Sequence, residues 1–341
     1  MAGNRVTAEQ VARHAGVSQS AVSRVFTPGG SASPNTVQRV QAAAAELGYR
    51  PNVLARSLKA GRSRMIGIVV AYLDNPFYPD ALEKFSKTLQ ARGYHALVFM
   101  AGNEAENMES VMSEILDYQV DGLVLASAGM STELTERCKQ AGVPVLLFNR
   151  GQGNPIFSEV TSDNYSGGYT LGEFLVKGGH TRIAHIAGWA GASTQQDRER
   201  GFCDALAAHG QSLFARAEGL FHADTARAAA KTLFAAPIRP DAVFVANDHM
   251  ALAVMDVLRF ELGLRVPEDV SVVGYDDVPQ AAWDSYRLTT VRQRSAKMVE
   301  CAVDTLLEQI DHPDTLPSQH ALEAPLKVRS SARIPEGYPN T

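Results

Sequence analysis

Cysteine is nearly absent from this chain. Its 341 residues hold three, Cys138, Cys203 and Cys301. They are far apart, odd in number and without CxxC spacing, so neither a disulfide framework nor a thiolate metal site organises the fold. Long hydrophobic runs are also missing. No stretch of 18 apolar residues occurs, and strings such as 66–73 have the length of a buried strand, not of a membrane span. Residues 1–13 alternate polar and apolar side chains and lack the apolar core of a secretory signal. These absences predict a soluble, cytoplasmic protein with no membrane partner. The common catalytic signatures are lacking too: there is no G-x-S-x-G, G-x-x-x-x-G-K-[ST], H-E-x-x-H or G-x-G-x-x-G. The histidines show no metal spacing, and His249 beside Asp248 is the one faintly suggestive pair. The reading is therefore of a protein with no catalytic residues, no metal and no cofactor.

What is present is an uneven charge. Residues 1–64 carry nine basic and two acidic side chains, net +7, whereas residues 65–341 carry 23 and 35, net −12. A small basic head precedes a large acidic body, and only the head has a field that attracts a polyanion.

Within the head, Thr7 stands as an N-cap before a short helix ending at Gly16, and Ser18 caps a second helix over residues 19–26. Ser33-Pro34 then opens a third, which stops at Gly48. Two short helices separated by Ala15-Gly16-Val17 read as a helix-turn-helix, although the pattern alone also fits a plain helical bundle. Gln19 and Ser20 fall on the exposed first turn of the second helix, with Arg24 one turn on, where side chains reach base edges in a major groove. Backbone N–H groups near Thr7 and Ser18 are placed to hold phosphates. Residues 53–62 could form a helix too short to be stable alone. Leu58, between Arg56 and Lys59, suits either a minor-groove wedge or an ordinary linker lying on the body.

The body alternates apolar strand runs with helical stretches. Strands are expected over residues 66–71, 96–100, 122–126, 145–148, 159–161, 183–187, 242–246 and 270–274. Helices are expected over 79–91, 104–118, 132–141, 165–177, 197–208, 225–234, 249–260 and 295–310. Continuous apolar strands separated by helices indicate parallel sheets covered on both faces. Two such series imply two doubly wound lobes, with ligands bound beyond the carboxyl ends of the strands. Aromatic rings, arginines, carboxylates and amides collect at those ends, a mixture suited to a small polyhydroxylated or similarly polar ligand. Structural roles compete for some of them. Asp248 and Asp197 also suit helix N-caps, and Asp163 suits a local cap. Of the neighbours Asp276 and Asp277, one should be a loop-stabilising acceptor.

The run V-T-A-E-Q-V-A-R-H-A-G-V-S-Q-S-A-V-S-R-V-F and the segment P-N-V-L-A-R-S-L-K resemble the head and hinge helix of the LacI/GalR family of bacterial transcriptional regulators. V-F-V-A-N-D, V-V-G-Y-D-D, T-S-D-N-Y-S-G-G, G-G-H-T-R-I-A, D-R-E-R-G-F and L-T-T-V-R-Q extend the resemblance through the body. It implies an all-α helix-turn-helix head with a hinge helix, then an α/β two-lobed core like that of the periplasmic binding proteins. The expected divisions are 1–50 for the head, 51–63 for the hinge, and 64–341 for the effector-binding and dimerisation part. The first lobe would span about 64–160 plus 292–330, the second about 161–291.

DNA-contacting positions are expected at Thr7, Ser18, Gln19, Ser20, Ser23, Arg24 and Asn35 in the head. In the hinge they are Asn52, Ala55, Leu58 and Lys59, with Leu58 as the wedge. For the effector, the resemblance places Arg198 as the contacting arginine, Asp276 as its acceptor, and Phe77, Phe221 and Asn247 as pocket lining. Asp163 matches a further polar contact. Asp74 and Arg150 join them from the strand ends, and Arg150 with Arg198 allows an acidic ligand such as a sugar acid, unless Arg150 pairs with a surface carboxylate. Ala126 departs from the family, since some sugar-binding members have an amide there. The implied partners are a roughly palindromic DNA operator, a sugar or sugar acid, and a second copy of the chain, because the C-terminus shows no leucine heptad of the kind tetrameric members use. An exported sugar receptor would share the body, but it would need a signal and has no use for a basic head.

Overall fold

The computed structural model describes residues 6–27, 30–50, 62–101, 111, 114–126, 137–138, 140–153 and 156–338. The chain divides into two compact units, Met1–Arg64 and Met65–Thr341. Among the described residues no helix is long and apolar enough to cross a membrane.

Three helices make the first unit: α1 (Ala8–Ala15), α2 (Gln19–Val25) and α3 (Pro34–Leu47). Thr7 caps α1 through a reciprocal pair of bonds. Its side chain accepts from the Gln10 N–H, while the Gln10 side chain accepts from the Thr7 N–H at 2.8 Å. Gly16 ends α1 in the left-handed conformation, φ 62°, which a side chain would strain. Ser18 and Ser33 cap α2 and α3. Val11, Val22 and Val40 close a core with four alanines, whose small side chains let the helices approach. Arg39 of α3 donates to the carbonyls of Ala15 and Gly16 at 2.5 and 3.1 Å, tying the turn between α1 and α2 to the third helix. The expected hinge helix, with Asn52, Ala55, Leu58 and Lys59, lies outside the described residues.

The second unit contains two six-stranded sheets. The first holds β1 (Met65–Val70), β2 (His95–Met100), β3 (Gly122–Ala126), β4 (Val145–Phe148), β5 (Ser158–Ser162) and β11 (Gln319–Leu322), in the order β11-β5-β4-β3-β1-β2 and parallel throughout. The second holds β6 (Ile183–Ala187), β7 (Ala215–Glu218), β8 (Ala242–Val245), β9 (Ser271–Asp276), β10 (Thr289–Arg292) and β12 (Leu326–Lys327), in the order β12-β10-β9-β8-β6-β7. It is parallel except for β12, which pairs antiparallel with β10. The central strands are buried on both faces, as continuous apolar runs require. Helices α4 (Phe77–Ala91), α5 (Asn164–Lys177), α6 (Ser193–Ala208), α7 (Ala223–Ala235), α8 (Asp248–Asp256) and α9 (Ser295–Asp311) accompany the strands.

Several boundaries differ from expectation, each for a tertiary reason. Within the stretch 292–330 expected in the first lobe, β12 belongs to the second sheet because Leu326 and Lys327 pair with Val291 and Thr290. Strand β9 runs two residues past 274, since Tyr275 and Asp276 pair with Val291 and Arg292 of β10. Helix α6 starts at Ser193 instead of 197, so Asp197 lies within the helix, bonded to Arg200, and is not its N-cap. The helix expected over 249–260 is α8 followed by a π-helical turn, Val257–Glu261. Strands β7, β10, β11 and β12 are not evident from the sequence because, unlike the equally short β4 and β8, they read ARAE, TTVR, QHAL and LK and carry no continuous apolar run. Most of the helices expected over 104–118 and 132–141 lies outside the described residues.

Candidate functional site

In the head, Thr7, Gln19, Ser20, Arg24 and Asn35 are exposed, while Ala21 and Val22 of the same helix are buried. The α2 periodicity thus turns its polar face outward. Ser18 is exposed too, but its hydroxyl caps α2 and lies 2.9 Å from that of Ser20. Ser23 is half-buried, and its carbonyl accepts from Thr27. The result is a helix whose first turn presents an amide, a hydroxyl and, one turn later, a guanidinium on one side, donors and acceptors of the kind that read base edges.

In the body, close packing of two helices sets the site. A Cβ on Gly168 of α5 would fall 2.1 Å from the Arg198 carbonyl, and one on Gly201 of α6 would fall 2.1 Å from the Tyr165 carbonyl. Glycine alone permits that approach, which brings Arg198 beside the start of α5. Arg198 is buried (2% exposed) and its guanidinium is fully engaged. Nε donates to Asn164 Oδ1 at 2.8 Å, Nη1 donates to the Ala246 carbonyl at 2.7 Å, and Nη2 lies 3.5 Å from Asp276 Oδ1. Its plane sits over the Tyr275 ring, 3.6 Å from the centroid.

Asp276 gathers groups from several elements. Beyond Arg198 it accepts from Gln293 Nε2 at 2.8 Å and from Asn75 Nδ2 of the first sheet's β1–α4 loop at 3.4 Å. Its backbone has φ 127° and that of Asp277 has φ 58°, both costly for residues other than glycine. Asp277 turns away, to Arg292 and to Arg329 Nη2 at 2.6 Å. It is the loop-stabilising member of the pair. Asp248 secures the same loop from below. It accepts from Thr290 Oγ1 at 2.6 Å and from the Val278 N–H at 3.0 Å. Burial, reinforced by the Asp276 charge, pushes its carboxyl up to about 8. Burial also raises Asp276, against the Arg198 charge. The N-cap of α8 is Asn247 and not Asp248, so the capping role weighed for Asp248 falls to its neighbour.

A second group faces the same strand ends. Arg150 donates to the Tyr72 hydroxyl at 2.8 Å and lies over the Phe221 ring, 5.0 Å from the centroid. Phe221 takes φ 63° and covers Gly188, where a Cβ would meet its ring at 2.2 Å. Asp74 lies 3.5 Å from His249 Nε2. Burial lowers the His249 imidazole, with Asp74 opposing. Three expected effector residues have structural work as well: Asp163 caps α5 by accepting from the Ser166 N–H, Asn247 caps α8, and Phe77 is buried against Phe148. The structure therefore gathers Arg198 with Asp276, and Arg150 with Phe221, more directly than it gathers Asp163, Asn247 and Phe77. Tyr72, Tyr275 and Gln293 were not singled out as site residues, although each lies in or within two residues of a strand end. Among the described residues no group of three His, Cys, Asp or Glu side chains could hold a metal ion.

A helix-turn-helix head followed by a doubly wound, periplasmic-binding-protein-like body defines a class of transcriptional regulators, not enzymes. Residues 7–52 match the model for bacterial regulatory proteins of the lacI family, and residues 173–332 match that of the periplasmic binding protein-like domain. The transcriptional repressor PurR of Vibrio vulnificus (strain CMCP6) is 33% identical over 307 residues, 89% of this chain and 92% of that protein. PurR of Vibrio campbellii (strain ATCC BAA-1116) is 30% identical over 96% and 98% of the two chains. Among solved structures, the lac repressor dimer bound to operator and the anti-inducer ONPF superposes with a TM-score of 0.86 at 29% identity, covering 96% of this chain and 99% of that one. A complex of the regulator CelR with cellobiose gives 0.72 at 34% identity over 96% and 100%. The chain belongs to the LacI family of bacterial regulatory proteins, and it is a sequence-specific DNA-binding transcriptional regulator.

Proposed function

We propose that this regulator is a cytoplasmic, homodimeric repressor whose affinity for a roughly palindromic operator is set by a small polar metabolite bound between two lobes, each built on one of the sheets. The reading rests on the bond from Asn75 to Asp276. A residue of the first sheet's layer reaches the carboxylate that pairs with Arg198 in the second, so a ligand entering there competes with a contact that joins the lobes. Only a ligand that prefers one lobe arrangement changes operator affinity. Two heads would occupy successive major grooves, with Gln19 and Ser20 at base edges, Ser23, Arg24 and Asn35 beside them, and Thr7 and Ser18 near phosphates. Asn52, Ala55, Leu58 and Lys59 of each hinge would meet at the operator centre. Rings and hydrogen-bonding groups around Arg198, Asp276, Arg150 and Phe221 suit a sugar or sugar acid, with Asp74, Phe77, Asp163 and Asn247 completing the wall.

The test has two parts: a randomised-duplex selection at low ionic strength, and a thermal-shift screen of sugars, sugar acids, sugar phosphates and nucleobases with and without the selected duplex. A preferred palindrome and a metabolite whose binding energy changes with DNA are expected. No sequence preference under any condition would overturn the proposal.

A further inference from the structure

Of the residues assigned to the metabolite, only Phe77 and Asp276 line a cavity of about 430 Å3, with Gln293 beside them. Its walls come from three places. Asp80 and Lys84 lie on α4 beside the first sheet, Asp277 and Val278 lie in the loop after β9 of the second, and residues 292–297 carry the chain from β10 into α9. Helix α9 packs against α4, β3, β4 and β5 of the first sheet's layer, while Asp276, Asp277 and Arg292 belong to the second, so both layers border one space.

The charges here do not cancel. Asp277 is the single carboxylate for two guanidiniums, Arg292 and Arg329, leaving one positive charge. Lys84 pairs with Asp80, Arg294 with Glu323, and Asp276 with Arg198. Lys297 is exposed and forms no ion pair among the described residues. After every pairing, a surplus of two positive charges faces the cavity. Phe77, Val278 and Pro279 add apolar lining.

From this arrangement we infer that the cavity is a second ligand site, which takes a phosphate monoester dianion. Two negative charges match the surplus, the phosphoryl oxygens accept from guanidinium and ammonium groups, and the ester's organic part rests on the apolar lining. Free phosphate has the same charge chemistry without the organic part. Because both sheet layers line the cavity, occupancy would favour one lobe arrangement. That consequence rests on the repressor reading above, whereas binding itself does not.

Calorimetry on the full chain at pH 8 tests the site with phenyl phosphate, inorganic phosphate and benzyl alcohol as probes. Phenyl phosphate is expected to bind once per chain, benzyl alcohol not at all. Equal affinity for inorganic phosphate would keep the site and make free phosphate its ligand. Lys297→Gln, an exposed change that breaks no ion pair among the described residues, should weaken phenyl phosphate about fivefold or more, the loss of one charge-assisted contact. Arg150→Gln should leave it unchanged. Three results would each overturn the inference: no phenyl phosphate binding, equal binding by Lys297→Gln, or binding lost in Arg150→Gln, which would put the anion in the metabolite cleft. Benzyl alcohol binding as tightly as phenyl phosphate would reduce the cavity to an apolar crevice and overturn it too.

Discussion

Head and body place their charged groups in opposite ways. In the head, Gln19, Ser20 and Arg24 stand exposed on a helix whose other face makes a small valine and alanine core. In the body, Arg198 and Asp276 are buried and paired, held by hydrogen bonds from four elements or loops. Exposed groups give a surface ready for a partner that brings its own charge, and they contribute little to stability. A buried pair is different: its members hold one another's desolvation cost in check, and removing either leaves an uncompensated charge. The proposed DNA-reading groups are therefore separable from folding, whereas the proposed metabolite site is part of the body's core.

The sharpest way to break that contrast is Arg198→Ala. It strands Asp276 in the interior and should destabilise the body by about 3–5 kcal/mol, read as a lower denaturant midpoint, and abolish the response to the metabolite. Wherever the variant still folds, operator affinity should persist. An intact metabolite titration would show that the pocket has been misplaced. Next in size is pH. His180 and His185 are fully buried in the body, and burial lowers both imidazoles to about 4. Both bind protons more readily unfolded than folded, so their contribution is complete above about 6.5 and is lost as pH falls toward 4. Asp248, raised to about 8, works the other way over the same window, because its folded form keeps a proton that the unfolded chain releases. Melting of the body should drop by about 5 °C between pH 7 and pH 5, and the drop should grow in Asp248→Asn. A flat profile in both proteins would contradict the burial.

Smaller effects belong to the DNA side. Leu58→Ala should weaken specific operator binding about tenfold while nonspecific binding changes little. Equal losses, measured by anisotropy, would reject the wedge. Changing Gln19 or Ser20 to Ala should cost about 1 kcal/mol of discrimination at one base pair and leave the melting midpoint alone. An unaltered preference in a duplex selection would remove both as readers.

Much of the fold was legible in the linear pattern, and unevenly so. Strands β3, β4 and β6 fall where their apolar runs predicted, since a strand buried on both faces carries its signal in consecutive residues. The caps at Thr7, Ser18 and Ser33 were legible for the same local reason. Strands β11 and β12 were not, because each is defined by partners more than thirty residues away in the chain. Arg198 and Asp276 could be named individually from the family resemblance that their motifs carry. That Asn75, Gln293 and Tyr275 surround them could not, because those contacts join residues up to 201 positions apart.

The order of residues by itself settled the basic head, the caps and spacing of its short helices, the alternation of apolar strands with helices, and the residue types at the strand ends. Each depends on interactions within a few residues of chain or on charge, which is additive. Which carboxylate faces the arginine, which one braces the loop, and where a surplus of positive charge collects were decided only by the fold. Burial and pairing of ions depend on distances in space, and it is tertiary packing that sets them.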